Sequence, residues 1–305
     1  MTTAPEENVL LAPYTYFKIG GPARFFTRVR DEAGLKEAIH FAINNSLPMF
    51  LLSGGSNILV SDEGFGGIVI KIDLGGIVVE GNNVIAGAGT PMAQIVRESI
   101  RAGLSGFEWA IGIPGTLGGS VRGNAGCFGV ETKDVVEHVS VLKIPNPNGQ
   151  ITDRSQIQHS QFQRIELNNK DCNFSYRDSI FKHDPSLVIL QATIRLHKGD
   201  PVKSQELVKQ YTTKRLSEQD IGEQCAGCIF KNPDADGPAG YLIDTSGLKG
   251  KKVGNAMVSK KHGNFFINTG HASADHMKML IEEVREAVLK KHGVRLEEEI
   301  QYVGW

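Results

Sequence analysis

Two hydrophobic rhythms alternate along the first part of the chain. Ala23–Val29 is an apolar and aromatic run that predicts a strand. Leu35, Ala38, Ile39, Ala42 and Ile43 then recur at helical spacing, one face of an amphipathic helix. Pro48 stops that helix, and Met49–Leu52 predicts a short buried strand running straight into Gly54-Gly55. Short strands continue through Ile85. Thr90 and Pro91 then supply an N-cap and a first-turn proline. The helix they start carries Met92, Ile95, Val96 and Ile100 on one face and ends at Gly103.

Strand-like patterning dominates from Val135 to His197. Val139–Ile144 and Gln150–Thr152 flank the turn residues Pro145-Asn146-Pro147-Asn148-Gly149, a hairpin candidate. Leu187–Leu196 predicts a further strand, and Gln205–Leu216 a helix bridging to a second domain. Near the end, Met277, Leu280, Ile281, Val284 and Val288 give the buried face of a helix over about Ala274–His292, closed by Gly293. Val294–Val303 follows as a strand. Its even positions Val294, Leu296, Ile300 and Tyr302 form an apolar face that Glu298 interrupts.

The chain has 305 residues, enough for two domains at roughly 150 residues each. A net charge of −1 argues against a general electrostatic grip on nucleic acid. No apolar run approaches the roughly 20 residues that span a bilayer, and the start of the chain lacks the features of a secretory signal. A cytoplasmic protein is expected, its cysteines Cys127, Cys172, Cys225 and Cys228 kept reduced. Lys249, Lys251, Lys252, Lys260, Lys261 and His262 form one basic stretch, either a solvated surface or a pocket for an anion such as a diphosphate.

Glycine is the compositional outlier, at 35 residues against an average near about 7%. It is concentrated where candidate chemistry lies. Ser53-Gly54-Gly55-Ser56-Asn57 follows an apolar strand, and Gly112-Ile113-Pro114-Gly115-Thr116-Leu117-Gly118-Gly119 continues to Asn124-Ala125-Gly126. Glycine lets the backbone approach a ligand without a Cβ in the way. Successive N–H groups in such turns can hold phosphate oxygens without a cationic side chain. Ser56, Thr116, Ser120 and Asn124 could add side-chain hydrogen bonds. After Gly87-Ala88-Gly89 the third glycine of a dinucleotide fingerprint is missing, and neither a P-loop nor an H-E-x-x-H zinc motif occurs. By themselves the loops imply a phosphate-bearing ligand held by a fold other than Rossmann.

Both loops resemble those of the FAD-binding domain of vanillyl-alcohol-oxidase (PCMH-type) flavoproteins. Over nearly its full length the chain resembles the UDP-N-acetylenolpyruvoylglucosamine reductases. The resemblance runs from Tyr16-Phe17-Lys18-Ile19-Gly20-Gly21-Pro22-Ala23 to Tyr176-Arg177-Asp178-Ser179-Ile180-Phe181. It continues with Ala226-Gly227-Cys228-Ile229-Phe230-Lys231-Asn232-Pro233, Ala239–Asp244, Asn264-Phe265-Phe266-Ile267-Asn268 and Leu296–Ile300. It implies an α+β chain: a two-part FAD-binding domain over 1–204, divided near 75, and a C-terminal α+β substrate-binding domain over 205–305. It also implies FAD as cofactor, NADPH as reductant and reduction of UDP-N-acetylglucosamine enolpyruvate to UDP-N-acetylmuramate in peptidoglycan precursor synthesis. The partner expected is a small nucleotide sugar, with no nucleic acid, membrane or metal, and the enzyme is expected to be a monomer.

The same resemblance distributes roles. Ser53, Gly54, Gly55, Ser56, Asn57, Gly112, Ile113, Pro114, Gly115, Thr116, Gly118, Gly119, Asn124, Ala125 and Gly126 would hold FAD. Arg177, Cys228 and Glu299 would be catalytic, and Tyr176, Lys231 and Asn232 would contact substrate. The chemistry agrees: hydride addition drives charge onto the enolpyruvyl carboxylate, which a planar guanidinium can grip in bidentate fashion. A thiol with a pKa of about 8.5 is a competent proton donor at neutral pH. Read without the resemblance, Arg177 could be a structural ion pair and Tyr176 a packed aromatic. Cys225-Ala226-Gly227-Cys228 could be a redox pair or half a zinc site. The alternation of the last strand favours Glu298 as the buried oddity, whereas the resemblance favours Glu299. His262 and His292 have no nucleophile to serve. Cys127-Phe128 stands where relatives often have Ala-Tyr, and the stretch from Leu187 to Lys214 is too short for the extra tyrosine-bearing loop of some members, so a shorter subtype is expected. Another FAD oxidase, or a non-catalytic binder of a phosphorylated ligand, would share the glycine loops but not the later blocks.

Overall fold

A computed structural model describes residues 4–144, 162–234 and 237–305. The hairpin candidate around Pro145–Gly149, with Gln150–Thr152, lies outside them. The chain divides into two compact units. The first comprises Met1–Glu6, Phe25–Gly54 and Gly67–Thr213; the second comprises Glu7–Arg24, Gly55–Gly66 and Lys214–Trp305. These are not the contiguous stretches 1–204 and 205–305 expected from sequence.

In the first unit, the strand Met49–Leu52 runs parallel to Phe65–Ile72, with Met49 opposite Ile68 and Leu52 opposite Lys71. The helix Glu32–Asn44 begins where Asp31 accepts the Gly34 N–H at 2.8 Å, and it buries Leu35, Ala38, Ile39 and Ala42. A five-stranded antiparallel sheet follows, in the order Gln163–Asn168, Val136–Lys143, Leu187–Arg195, Asn83–Gly87, Ile77–Glu80. Val139, Val141, Ala192 and Ile194 of this sheet share one core with Ile95 and Val96 of the helix Met92–Arg101. That helix is capped differently from expectation: Pro91 is its N-cap residue, and Thr90 donates instead to the Gly76 carbonyl at 3.2 Å. Gly103 takes φ 71° at its end, as the pattern implied.

The segment that leads into the second glycine loop is pinned by a buried acid. Leu104–Ser105 pairs antiparallel with His197–Lys198. Three residues on, Glu108 is 3% exposed. Its carboxylate accepts from Ser105 Oγ at 2.7 Å, the Gly106 N–H at 2.8 Å and Ser204 Oγ at 2.5 Å. Ser204 belongs to the helix Pro201–Glu218, which is longer than the predicted 205–216. Burial alone would raise the Glu108 pKa, but these hydrogen bonds together hold it below the ordinary carboxylate value.

The second unit is assembled from distant pieces. Ile58–Val60 pairs in parallel with Gln301–Val303, Leu59 opposite Tyr302. Phe17, Ile19 and Leu59 share a core with Phe230, Phe266, Met277 and Leu280. Lys252–Val253, Ala256–Val258 and Phe266–Asn268 form a small antiparallel sheet. The helix Ala274–His292 matches its predicted bounds and buried face. Ser273 caps it, and the Asp62 carboxylate accepts the Ala274 N–H, at 2.8 Å to one oxygen and 2.9 Å to the other, placing negative charge at the positive end of the helix. Gly293 ends it at φ 69°. The predicted strand Val294–Val303 is regular only over Gln301–Val303.

Replacing Glu108 by Gln should lower stability by about 1–3 kcal/mol at pH 7, since a carboxylate accepting several hydrogen bonds loses part of its network. A carboxylate whose pKa is depressed on folding contributes fully above its unfolded value, about 4.3, and loses that contribution as the pH falls through the lower folded value. Denaturant titrations of wild type and Glu108→Gln should therefore converge as the pH is lowered below about 4.

Candidate functional site

Close approach explains several of the predicted cofactor glycines directly. Ser53 and Thr116 share a short hydroxyl–hydroxyl hydrogen bond that ties the two loops together within the first unit. A Cβ on Gly54 would collide with the Gly115 Cα, and one on Gly119 would lie 3.3 Å from Ser53 Oγ. Gly112 and Gly115 sit at φ 77° and 105°, where side chains are strained. Gly118 packs on Ala88: its N–H donates to the Ala88 carbonyl at 2.8 Å, and a Cβ there would lie 2.9 Å from that of Ala88. Gly126 pairs with Glu131 in a two-stranded hairpin, and Ala125 donates to the Ser120 carbonyl at 2.9 Å. Ile113 donates to the Ala110 carbonyl at 3.1 Å, and Pro114 has no N–H to offer. By contrast, the N–H groups of Gly54, Gly115, Thr116 and Gly119 donate to no protein acceptor among the described residues. Orphan donors on interlocked, side-chain-free turns are what an anionic diphosphate requires. The residues present therefore fit FAD through the backbone.

Asn124 has a different task from the one expected. It is 0% exposed and sits at φ 42°. Its side-chain amide donates to Glu131 Oε2 at 3.1 Å and to the Ser175 carbonyl at 2.8 Å, and its side-chain oxygen accepts the Lys133 N–H at 3.0 Å. Both donors are used inside the protein, so the amide braces the loop instead of reaching a ligand. The segment it grips carries Arg177. Ser175 and Asp178 exchange N–H···O bonds of 3.1 and 3.2 Å around the turn Tyr176-Arg177, which holds Arg177 at φ 55°. Lys182 donates to the Arg177 carbonyl, and the Arg177 guanidinium lies 5.3 Å over the Tyr176 ring. A bulky residue kept in this sparsely populated conformation by so many restraints is a functional candidate. Asp178, proposed as its structural ion partner, hydrogen-bonds His183 at 2.7 Å.

The remaining predicted residues lie in the second unit. Gly55 sits at φ 68°, its carbonyl accepting the Tyr16 N–H at 3.0 Å, and Ser56 follows it. Asn57 accepts the Gln301 N–H at 3.0 Å and donates from its side chain to the Glu299 carbonyl at 2.9 Å. The Glu299 N–H donates to Ile229 at 2.7 Å, and the Lys231 N–H donates to Glu297 at 2.8 Å. Asn57, Cys228, Lys231 and Glu299 thus stand on adjoining main-chain segments. Lys231 pairs with Glu297 at 2.5 Å, and Asn232 accepts the Ala239 N–H at 3.1 Å.

Glu298 resolves the ambiguity left by alternation. Its carboxylate accepts from Arg285 Nη1 at 2.9 Å, so its place on the apolar side is explained by an ion pair with the long helix. Tyr302, beside it, has its phenol pKa pushed up, first by burial and then by the Glu298 charge. Burial pushes the Cys225 thiol up to about 12, which disfavours the reactive thiolate of a redox pair. None of the four cysteines is joined in a disulfide. In the basic stretch, Lys249 pairs with Asp244 at 2.5 Å, Lys251 with Glu283 at 2.7 Å, and Lys261 reaches the Leu216 carbonyl at 3.1 Å. These contacts favour the solvated-surface reading. Burial lowers the His262 pKa, and its Nδ1 accepts the Asn264 N–H at 3.2 Å; His292 lies 3.1 Å from Ser246 Oγ. Among the described residues no cluster suits a metal ion, and no helix is long and apolar enough to cross a membrane.

Comparison with known proteins places this geometry in a class. A family model described as "FAD binding domain" matches residues 23–155, so the chain is an FAD-binding flavoprotein, α+β as expected. A second, "UDP-N-acetylenolpyruvoylglucosamine reductase, C-terminal domain", matches residues 219–303. The UDP-N-acetylenolpyruvoylglucosamine reductase of Clostridium novyi is 37% identical, over 98% of this chain and 92% of its own. That of Caulobacter vibrioides is 36% identical, over 96% and 93%. The crystal structure of the Thermus caldophilus reductase superposes with a TM-score of 0.81 at 32% identity, covering 99% of this chain and 100% of that one. The chain belongs to the UDP-N-acetylenolpyruvoylglucosamine reductase family.

The Glu298 assignment can be read spectroscopically. In Glu298→Gln the Tyr302 pKa, followed by phenolate absorbance, should fall because a neighbouring negative charge is lost. It should remain above about 10, because burial, the larger cause, is untouched. An unchanged Tyr302 titration would remove Glu298 from this role.

Proposed function

We propose that this chain catalyses the NADPH-dependent reduction of UDP-N-acetylglucosamine enolpyruvate to UDP-N-acetylmuramate, in the cytoplasm and as a monomer. What carries the reading is full-length family membership together with an arginine, a cysteine and a glutamate at the positions of the family's catalytic blocks. FAD, when bound, would supply a two-electron carrier between NADPH and the terminal carbon of the enolpyruvyl group. Backbone donors of Gly54, Gly115, Thr116 and Gly119 would hold its diphosphate.

The protein's own groups do the rest. Arg177 binds the enolpyruvyl carboxylate and offsets the negative charge that grows there; a guanidinium never loses its proton, so this help is present at every working pH. Cys228 gives a proton to the carbon next to the carboxylate. Glu299 orients the reacting end of the substrate and completes the acid–base set. Tyr176, Lys231 and Asn232 contact the nucleotide sugar. The Lys231–Glu297 pair supports the assignment of Lys231, because Glu297 is 72% exposed and an anionic substrate group can take its place. The shorter subtype is supported by the connection after Leu187–Arg195, where only residues 199–200 separate His197–Lys198 from the helix Pro201–Glu218.

Anaerobic addition of NADPH should bleach the bound flavin, and UDP-N-acetylglucosamine enolpyruvate should then restore its colour. A reduced flavin that stays bleached with this substrate would overturn the proposal. Loss of a general acid reduces rates by about 10²–10⁴. Reoxidation should slow to that extent in Cys228→Ala and Glu299→Gln. It should be largely kept in Cys228→Ser, Cys225→Ala and Glu298→Gln.

A further inference from the structure

We infer that Asn264 is the positioning residue for the proton donor: it fixes the register of the Cys228–Lys231 segment against Glu297–Glu299. This rests on the assignment of Cys228 just made. The segment has two edges. On one, the Ile229 carbonyl accepts from Glu299 and the Lys231 N–H donates to Glu297, at 2.7 and 2.8 Å. On the other, Cys228 bridges Phe265 and the Ile229 N–H donates to the Asn264 carbonyl at 3.0 Å.

Regular pairing cannot continue from there. In an extended strand the N–H and C=O of one residue point to the same side, yet those of Ile229 serve opposite edges. The chain therefore turns at Ile229: Phe230 pairs with Glu298 across the first edge, and its own N–H and C=O face the second, beyond the last backbone bond to Asn264. The Asn264 side chain fills that gap. Its oxygen accepts the Phe230 N–H at 2.9 Å, and its amide donates to the Phe230 carbonyl at 2.8 Å. A carboxamide carries the same donor and acceptor as a peptide, so it replaces the missing strand for one residue. Asn264 is 1% exposed and Phe230 is 1% exposed, so water cannot easily take over either bond.

Asn264 is itself well anchored. Its N–H donates to His262 Nδ1 at 3.2 Å, and a Cβ on the neighbouring Gly263 would lie 2.5 Å from the Gly240 carbonyl. Without the Asn264 amide, the Phe230 ring would still be held edge-on to Phe266, with centroids 6.1 Å apart. The expected defect is a loosened main chain at Cys228 in a protein that remains folded.

The test compares Asn264→Ala and Asn264→Asp with wild type in the flavin-loaded enzyme. Anaerobic stopped-flow separates flavin reduction by NADPH from reoxidation by UDP-N-acetylglucosamine enolpyruvate. Amide hydrogen exchange reads the Phe230 N–H independently of turnover. For Asn264→Ala, flavin reduction should be near wild type, reoxidation should slow on the order of 10²-fold, as misplacement by about an ångström can do, and Phe230 protection should be lost. Asn264→Asp keeps the acceptor for the Phe230 N–H and should retain part of both reoxidation and protection. Lost protection with unchanged reoxidation would overturn the inference. So would equal slowing of both half-reactions in the two variants, which is the mark of a general folding defect. Cys228→Ala run in parallel separates the levels: if it reoxidises at the wild-type rate, the proton-donor assignment fails, and the positioning role falls with it.

Discussion

The second unit depends on one run of hydrogen bonds, all but one of them main-chain, that joins segments far apart in the sequence. Asn57 accepts from Gln301 and donates to Glu299; Glu299 donates to Ile229; Ile229 donates to Asn264. Strand pairing of Ile58–Val60 with Gln301–Val303 extends the same alignment. Backbone bonds of this kind leave little freedom, since a slip of one residue would turn each side chain to the opposite face. The proposed acid, glutamate and substrate lysine therefore have their spacing set by backbone geometry.

This connectivity is why domain limits could not be read along the chain. Helices announce themselves locally: Ala274–His292 was legible from its apolar spacing and its closing glycine, all within about five turns. The membership of Glu7–Arg24 and Gly55–Gly66 in the second unit rests on partners more than two hundred residues away, such as Phe17 with Asn268 and Asn57 with Glu299. No local pattern encodes a contact at that separation. The same limit explains Glu298. Alternation over 294–303 assumes one continuous strand, but pairing is regular only from Gln301, so period-two reasoning was applied to a segment that does not keep that period. Resemblance placed the emphasis on Glu299, and the Arg285 pair accounts for Glu298.

Among the cofactor loops, sequence conveyed that something approaches the backbone closely, but not what. Gly54 and Gly115 approach each other, Gly118 approaches Ala88, and Gly126 approaches Glu131. A glycine is silent about its neighbour because it has no side chain to complement one. The donors left over after these contacts are what support the proposal that the loops cradle a diphosphate. Glu108 was illegible for a related reason: a single acid in an apolar stretch reads as exposed, and only its two serines and one backbone N–H, brought from different segments, make burial tolerable.

Asparagine recurs where these constraints meet. Asn124, Asn264 and Asn268 are 0%, 1% and 4% exposed, and each bonds main-chain atoms far from itself in sequence. A carboxamide is the one short side chain that offers a peptide's donor and acceptor together, so it can finish a ladder where the backbone turns away. Aspartate could accept but not donate, and leucine could do neither, so each position leaves a buried peptide group unmatched if it is changed. Asn124 applies this device to the turn that carries Arg177, and Asn264 applies it to the segment that carries Cys228. The segments carrying the proposed catalytic residues Arg177 and Cys228 are thus each held by a buried amide, a solution that orients the backbone without adding a buried charge.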